Sequence, residues 1–161
     1  MEITLKRLSD VPPANFVDLM NDPLVRRQMP LAADGFDEAE CRAWIDEKER
    51  LWAEHGFGPW AIFIDGAFAG WGGLQPHGDE AEMALVLAPP HWGAGKAVYD
   101  RMLSYAFGEL ELTHVLVLFP PTRTRVRGLL RLGFRRDGVD EVEGEAFVRY
   151  RLDDPMKDMR S

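Results

Sequence analysis

Apolar and polar residues change their spacing several times along this chain, and each change marks an element. Residues 2–8 alternate, with Ile3 and Leu5 set against Thr4 and Lys6, which predicts a first strand. Ser9-Asp10 offers a cap for a helix reaching about Asn21, and Asp22-Pro23 can start a second, shorter one. From Asp37 to His55 the period becomes helical. Cys41, Trp44, Ile45, Lys48, Leu51 and Trp52 share one face, Asp37 and Glu40 form a capping-box pair, and Gly56 supplies the stop. The period then drops to two. Residues 60–64 and 67–74 flank Asp65-Gly66, a strong hairpin signal, and residues 80–87 read as a further strand. Residues 94–107 read as a helix stopped by Gly108. Residues 113–119 form a short apolar run rich in β-branched side chains, which fits a buried strand. Residues 122–132 read as a helix ended by Gly133, and residues 145–152 as a last strand.

The order is strand, helices, three strands, helix, strand, helix, strand. It predicts an α/β (α+β) mixed sheet with helices on both faces rather than a doubly wound array. At 161 residues the chain is sized for one domain, expected over residues 1–152, with a short polar tail at 153–161.

Composition narrows the function. Apolar residues make up 46% and charged residues 29%, as in a globular protein. No apolar run has the length of a bilayer, so no membrane association is expected. A single cysteine, Cys41, permits no internal disulfide, and a cytoplasmic location is the expectation. The net charge of −8 disfavours nucleic acid and favours a cationic partner such as an amine, although acidity also serves solubility. His55, His77, His91 and His114 lack metal-ligand spacing, so no metal is expected. No serine lies in a G-x-S-x-G elbow, which excludes that class of hydrolase.

The chemistry concentrates at Pro90-His91-Trp92-Gly93-Ala94-Gly95-Lys96-Ala97. A strand ends at Pro89-Pro90, two residues that cannot continue a ladder. Glycines then lead into a helix, where a backbone free of side chains and a positive dipole end suit a phosphate or pyrophosphate. Lys96 could add charge. A Walker A loop would need glycine at position 90 and serine or threonine at position 97, and the chain has proline and alanine there. A dinucleotide fingerprint would need glycine where Val98 stands.

The segment resembles the acetyl-CoA loop of the GNAT superfamily of N-acetyltransferases, with Pro90-x-x-Gly93-x-Gly95 in its frame. It is most similar to the branch containing the ribosomal-protein N-terminal alanine acetyltransferases, which Glu82, Pro89, Trp92, Gly93, Gly95 and Ala97 match. Gly58-Pro59-Trp60-Ala61-Ile62, Gly70 with Gly73-Leu74, Leu132-Gly133-Phe134 and Tyr150-Arg151-Leu152 follow that branch in order. The resemblance implies the GNAT fold and acetyl-CoA as cosubstrate. The acceptor it implies is a primary amine, on a peptide N-terminus or a small molecule, and a homodimer is a possible assembly.

It further implies a cofactor opening between residues 82–87 and 113–119. Backbone groups of Leu85, Val86 and Leu87 would hold the pantetheine arm, and one N–H there would polarise the thioester carbonyl. Trp92, Gly93, Ala94, Gly95, Lys96 and Ala97 would hold the pyrophosphate. Arg123 and Arg125 are candidates for the 3′-phosphate, from an arginine-rich stretch that otherwise reads as a solvated face. Glu82 is the candidate catalytic base, read equally well as a structural carboxylate. Trp44 and Trp52 read first as core, with an acceptor pocket as the other reading.

The sequence departs from the family at three places. No tyrosine stands on the helix before Leu132, and Thr122 and Arg125 occupy positions where asparagine and serine are usual. These departures keep open a second class of function, an acyl-CoA-binding regulatory protein with weak catalysis.

Overall fold

The computed structural model describes residues 1–29 and 36–156. The sequence-predicted tail therefore lies outside the described residues beyond Met156, and Asp153 closes the last strand. Seven strands form one sheet in the order β1-β2-β3-β4-β5-β7-β6. They are β1 (Ile3–Arg7), β2 (Pro59–Ile64), β3 (Ala67–His77), β4 (Glu80–Leu87), β5 (His114–Phe119), β6 (Arg135–Val142) and β7 (Glu145–Asp153). β4 and β5 run parallel, in register at Glu82 opposite Leu116. β1 with β2, β2 with β3, β5 with β7 and β6 with β7 are antiparallel. The helices are α1 (Pro13–Asn21), α2 (Pro23–Arg26), α3 (Glu38–His55), α4 (Gly95–Gly108) and α5 (Arg127–Arg131).

The chain gathers into two compact units. One holds Met1–Gln75 and Ala84–Gly95, the other Pro76–Met83 and the residues from Lys96 onward. In the first unit, α3 starts where its signals predict. The Asp37 carboxylate accepts the Glu40 N–H at 2.7 Å and the Glu40 side chain returns to the Asp37 N–H at 3.5 Å. It ends at Gly56 in the left-handed region, φ 77°. Asp65-Gly66 turns the β2–β3 hairpin with φ of 50° and 83°, the two positive values a type I′ turn needs. Phe16, Cys41 and Ala61 are fully buried, with Ile45 and Trp71 close to it. Trp44 packs on Trp71, Phe16 and Phe36, with ring centroids 5.2, 5.6 and 6.2 Å apart. These ring contacts favour the core reading of Trp44. Trp52 likewise packs edge-on against Trp60, ring centroids 5.3 Å apart, and donates its N–H to the Pro59 carbonyl. Burial pushes the Cys41 thiol above its ordinary pKa, as an inert core cysteine requires.

β3 approaches β4 closely because Gly70 allows it. Its φ is 154°, and a Cβ there would stand 2.0 Å from the Val86 carbonyl oxygen. Ala84 and Val86 of β4, and Ala88 just past its end, pack against the core of this unit.

In the second unit α4 buries Val98, Tyr99, Met102, Leu103, Ala106 and Phe107. β5 is apolar almost throughout, and Val115 and Leu116 are fully buried. Two sequence expectations need correction here. The helix expected over residues 122–132 is the single turn α5, because the chain after β5 first folds into a turn with the Arg123 N–H on the Pro120 carbonyl. β6 was not expected at all. Its sequence, RRDGVDEV, carries five charges and a glycine, the dress of a solvent-edged strand rather than a core one. Its hairpin signal was present in Glu143-Gly144, which joins Val142 to Glu145 with φ of 50° and 80°.

Candidate active site

In the first unit, β4 stops at Leu87 and the chain makes a 3₁₀ turn over Pro89–Ala94 before α4. The Ala88 N–H still reaches Ala69 of β3 at 2.8 Å, and the His91 N–H closes the turn on the Ala88 carbonyl at 2.8 Å. The Trp92 indole N–H donates to the Leu87 carbonyl at 2.8 Å. The Gly95 N–H donates to the Trp92 carbonyl, and Gly95 is already helical, φ −53° and ψ −44°. Gly93 and Gly95 thus lie outside the left-handed region, and a Cβ on either would meet none of the described residues within 4 Å. Neither backbone conformation nor internal packing asks for glycine here. A bare backbone at the start of a 14-residue helix is what close approach of an anion asks for. The residues present therefore fit a pyrophosphate.

Along the end of β4 the carbonyls alternate. Those of Ala84 and Val86 lie beside Gly72 and Gly70 of β3. Strand alternation sends the backbone groups of Leu85 and Leu87 to the opposite edge. Of the three residues expected to present backbone groups to a ligand, Val86 is therefore turned toward β3. The Leu87 carbonyl is occupied by Trp92.

In the second unit, Glu82 lies on β4 opposite Leu116. Its charge acts on Tyr99 of α4, whose phenol is pushed up to about 12. Burial is the main cause, the Glu82 carboxylate adds to it, and the Arg123 guanidinium opposes it. At neutral pH the Tyr99 phenol is therefore protonated. Arg123 is fixed by stacking its guanidinium 3.9 Å from the centroid of the Phe119 ring.

The family model for the acetyltransferase (GNAT) domain matches residues 2–144. The chain belongs to the GNAT acetyltransferase family. Its fold is shared by solved structures spanning nearly its whole length. An aminoglycoside acetyltransferase, AAC(6')-Ib, solved in complex with coenzyme A, is 16% identical, with a TM-score of 0.78 and 99% and 100% of the two chains covered. An acetyltransferase from Agrobacterium tumefaciens is 20% identical, with a TM-score of 0.76 over 94% and 91%. A putative acetyltransferase from T. thermophilus is 25% identical, with a TM-score of 0.74 over 95% and 86%. The expected mixed α/β GNAT fold is the fold observed.

Within this GNAT domain the other sequence-selected residues have definite places. Lys96 is on the surface of α4, 3.2 Å from the Asp100 carboxylate, so its charge is shared with a helix neighbour. Ala94 ends the 3₁₀ turn and Ala97 is in the first turn of α4. Arg125, Arg127, Arg131, Arg135 and Arg136 are exposed, as a solvated face requires. No helix of the described residues is long and apolar enough to cross a membrane.

Sequence reasoning missed one group in the second unit. Arg149 of β7 forms a bidentate pair with Glu80 at 2.9 and 3.1 Å, and reaches Asp137 at 3.1 Å and Asp140 at 3.0 Å. His114 binds the same Glu80 at 2.7 Å, and His77 binds Asp140 at 2.8 Å. Glu80, at the start of β4, is thus a network carboxylate. Hydrogen bonding from Arg149, then from His114, holds it below its ordinary range. Hydrogen bonds from His77 and Arg149 do the same for Asp140. The β6 ladder jumps from Arg136–Tyr150 to Val139–Val148, leaving Asp137 and Gly138 opposite Arg149, a bulge that delivers Asp137 to the guanidinium. No linear spacing announces residues drawn from five strands or their ends.

Proposed function

We propose that this GNAT domain is an N-acetyltransferase that takes an acetyl group from acetyl-CoA and passes it to a primary amine. The carrying observation is the turn into α4, where a Cβ at Gly93 or Gly95 would meet none of the described residues within 4 Å. The aminoglycoside acetyltransferase solved with coenzyme A supports both the donor and an amine acceptor. The similarity to the ribosomal-protein branch makes a peptide N-terminus the first acceptor to try, with small amines next.

Bound acetyl-CoA supplies an activated thioester. In this reading residues 93–97 hold its pyrophosphate with the Lys96 charge at the margin, and Trp92 acts on that turn from the strand side through the Leu87 carbonyl. Leu85 and the Leu87 N–H pair with its pantetheine amides, and a backbone N–H there polarises the thioester carbonyl. Val86 supports this edge by packing into the core. Arg123 and Arg125 are the candidates for the 3′-phosphate, Arg123 preset on Phe119.

An amine with pKa near about 8 or 10 is mostly protonated at neutral pH and must lose a proton to attack. Glu82 is assigned that proton. The neutral nitrogen attacks the carbonyl carbon, the carbon–sulfur bond breaks with its electron pair leaving on sulfur, and the second proton that nitrogen sheds on becoming an amide passes to the departing thiolate. Positioning supplies much of the acceleration.

Isothermal titration with acetyl-CoA, with free CoA, NAD and ATP as controls, tests the donor. Binding of the CoA ligands alone, lost in Gly95→Glu, is the expected result. No binding by folded wild type would overturn the proposal. Binding without acceptor-dependent CoA release from any amine would instead assign the chain to acyl-CoA-binding regulators.

A further inference from the structure

We infer that Trp92 is a positioning residue whose indole N–H, held by the Leu87 carbonyl, straps the phosphate-side turn to the acyl-side end of β4. The inference rests on the acetyl-CoA reading above and goes beyond it, because it gives Trp92 a role through Leu87 rather than as one more contact.

Three observations carry it. The indole N–H to Leu87 carbonyl distance is 2.8 Å, a short and direct bond. The residue is nevertheless 42% exposed, among the few large apolar side chains left in solvent. Burial alone is therefore not what places the ring there. Finally, the other bond tying the turn back to the strand end is a local backbone one. Pro89 and Pro90 have no N–H to donate, and the His91 N–H is given to Ala88.

Trp92 also ties the other end. Its own carbonyl accepts the Gly95 N–H at the start of α4. One residue thus reaches the last carbonyl of β4 with its side chain and the first amide of the helix with its backbone. Loss of the indole donor loosens the turn from the strand, leaving the His91–Ala88 bond as its remaining backbone tie and both halves in place.

A ligand that spans both halves depends on their spacing, and a ligand that occupies one half does not. Acetyl-CoA spans them. 3′-Phosphoadenosine 5′-diphosphate would occupy only the turn, and acetyl-pantetheine only the β4 edge.

The test compares wild type with Trp92→Phe, which keeps a ring and removes the donor, and with Trp92→Ala. Affinities for the three ligands are measured by titration, with the steady-state KM and kcat for acetyl-CoA and the melting temperature. Trp92→Phe is expected to weaken acetyl-CoA about tenfold, the scale of one net hydrogen bond. The gain should appear in KM with kcat within about twofold, while both fragments bind as to wild type and the melting temperature falls by no more than the roughly 2–4 °C of one net hydrogen bond. Trp92→Ala should match Trp92→Phe in this split. Unchanged acetyl-CoA affinity in Trp92→Phe overturns the inference. So does an equal loss for the nucleotide fragment, which would make Trp92 a direct contact. Failure of wild type itself to bind acetyl-CoA is a separate result that removes the functional reading first.

Discussion

Arg149→Met should be among the most destabilising substitutions available outside the cores. The guanidinium makes four N–H···O contacts at 2.9–3.1 Å to three carboxylates, and its side chain is only 15% exposed. Charge-assisted bonds contribute roughly 1.5–3 kcal/mol each when well formed, so a simple sum over three carboxylates is about 5–9 kcal/mol. Two facts lower that figure. Glu80 keeps His114 and Asp140 keeps His77 after the arginine is gone. The carboxylates are also a quarter to a third exposed, so water screens part of what is lost. The expected loss at pH 7 is about 3 kcal/mol, or roughly 6–12 °C in melting temperature for a chain of this size.

The pH dependence has a defined sign. Glu80 and Asp140 are held below the ordinary carboxylate range when folded. A depressed carboxylate stabilises the fold above its unfolded pKa, near about 4, and loses that contribution as pH falls through its folded value. The gap between wild type and Arg149→Met should therefore be full at pH 7 and shrink below pH about 4. Urea unfolding followed by circular dichroism at pH 7 and pH 3.5 measures both. A gap under about 1 kcal/mol at pH 7, or one that does not shrink in acid, would refute this account of the network.

Other substitutions test other links. Glu82→Gln should lower kcat by about 10²–10⁴ and flatten the acid limb of its pH profile while acetyl-CoA affinity is kept, and steady-state kinetics with a peptide or small-molecule amine reads both. Gly70→Ala should cost about 3 kcal/mol or prevent folding, because its Cβ would stand 2.0 Å from the Val86 carbonyl oxygen, and thermal melts detect it. Asp37→Ala should cost about 1 kcal/mol by opening the capping box of α3, with cofactor affinity unchanged, as denaturant titration and calorimetry would show.

The sequence by itself determined the elements whose signals are local. The α3 caps, the Asp65-Gly66 turn and the apolar run of β5 need only neighbours a few residues away, and each is where the pattern places it. The glycine turn into α4 belongs with them, because a strand end, two prolines and two glycines are contiguous. The charged edge strand β6 escaped, since pairing with β7 and not apolar periodicity makes it a strand. Tertiary structure alone decided which groups meet. It turned Val86 toward β3, gave the Leu87 carbonyl to Trp92, set Tyr99 within the field of Glu82, and gathered Glu80, Asp137 and Asp140 around Arg149. The reason is that turns and caps are set by bonds between near neighbours, whereas strand register joins residues 69 positions apart, as in Arg149 and Glu80, through contacts that exist only once the sheet has formed.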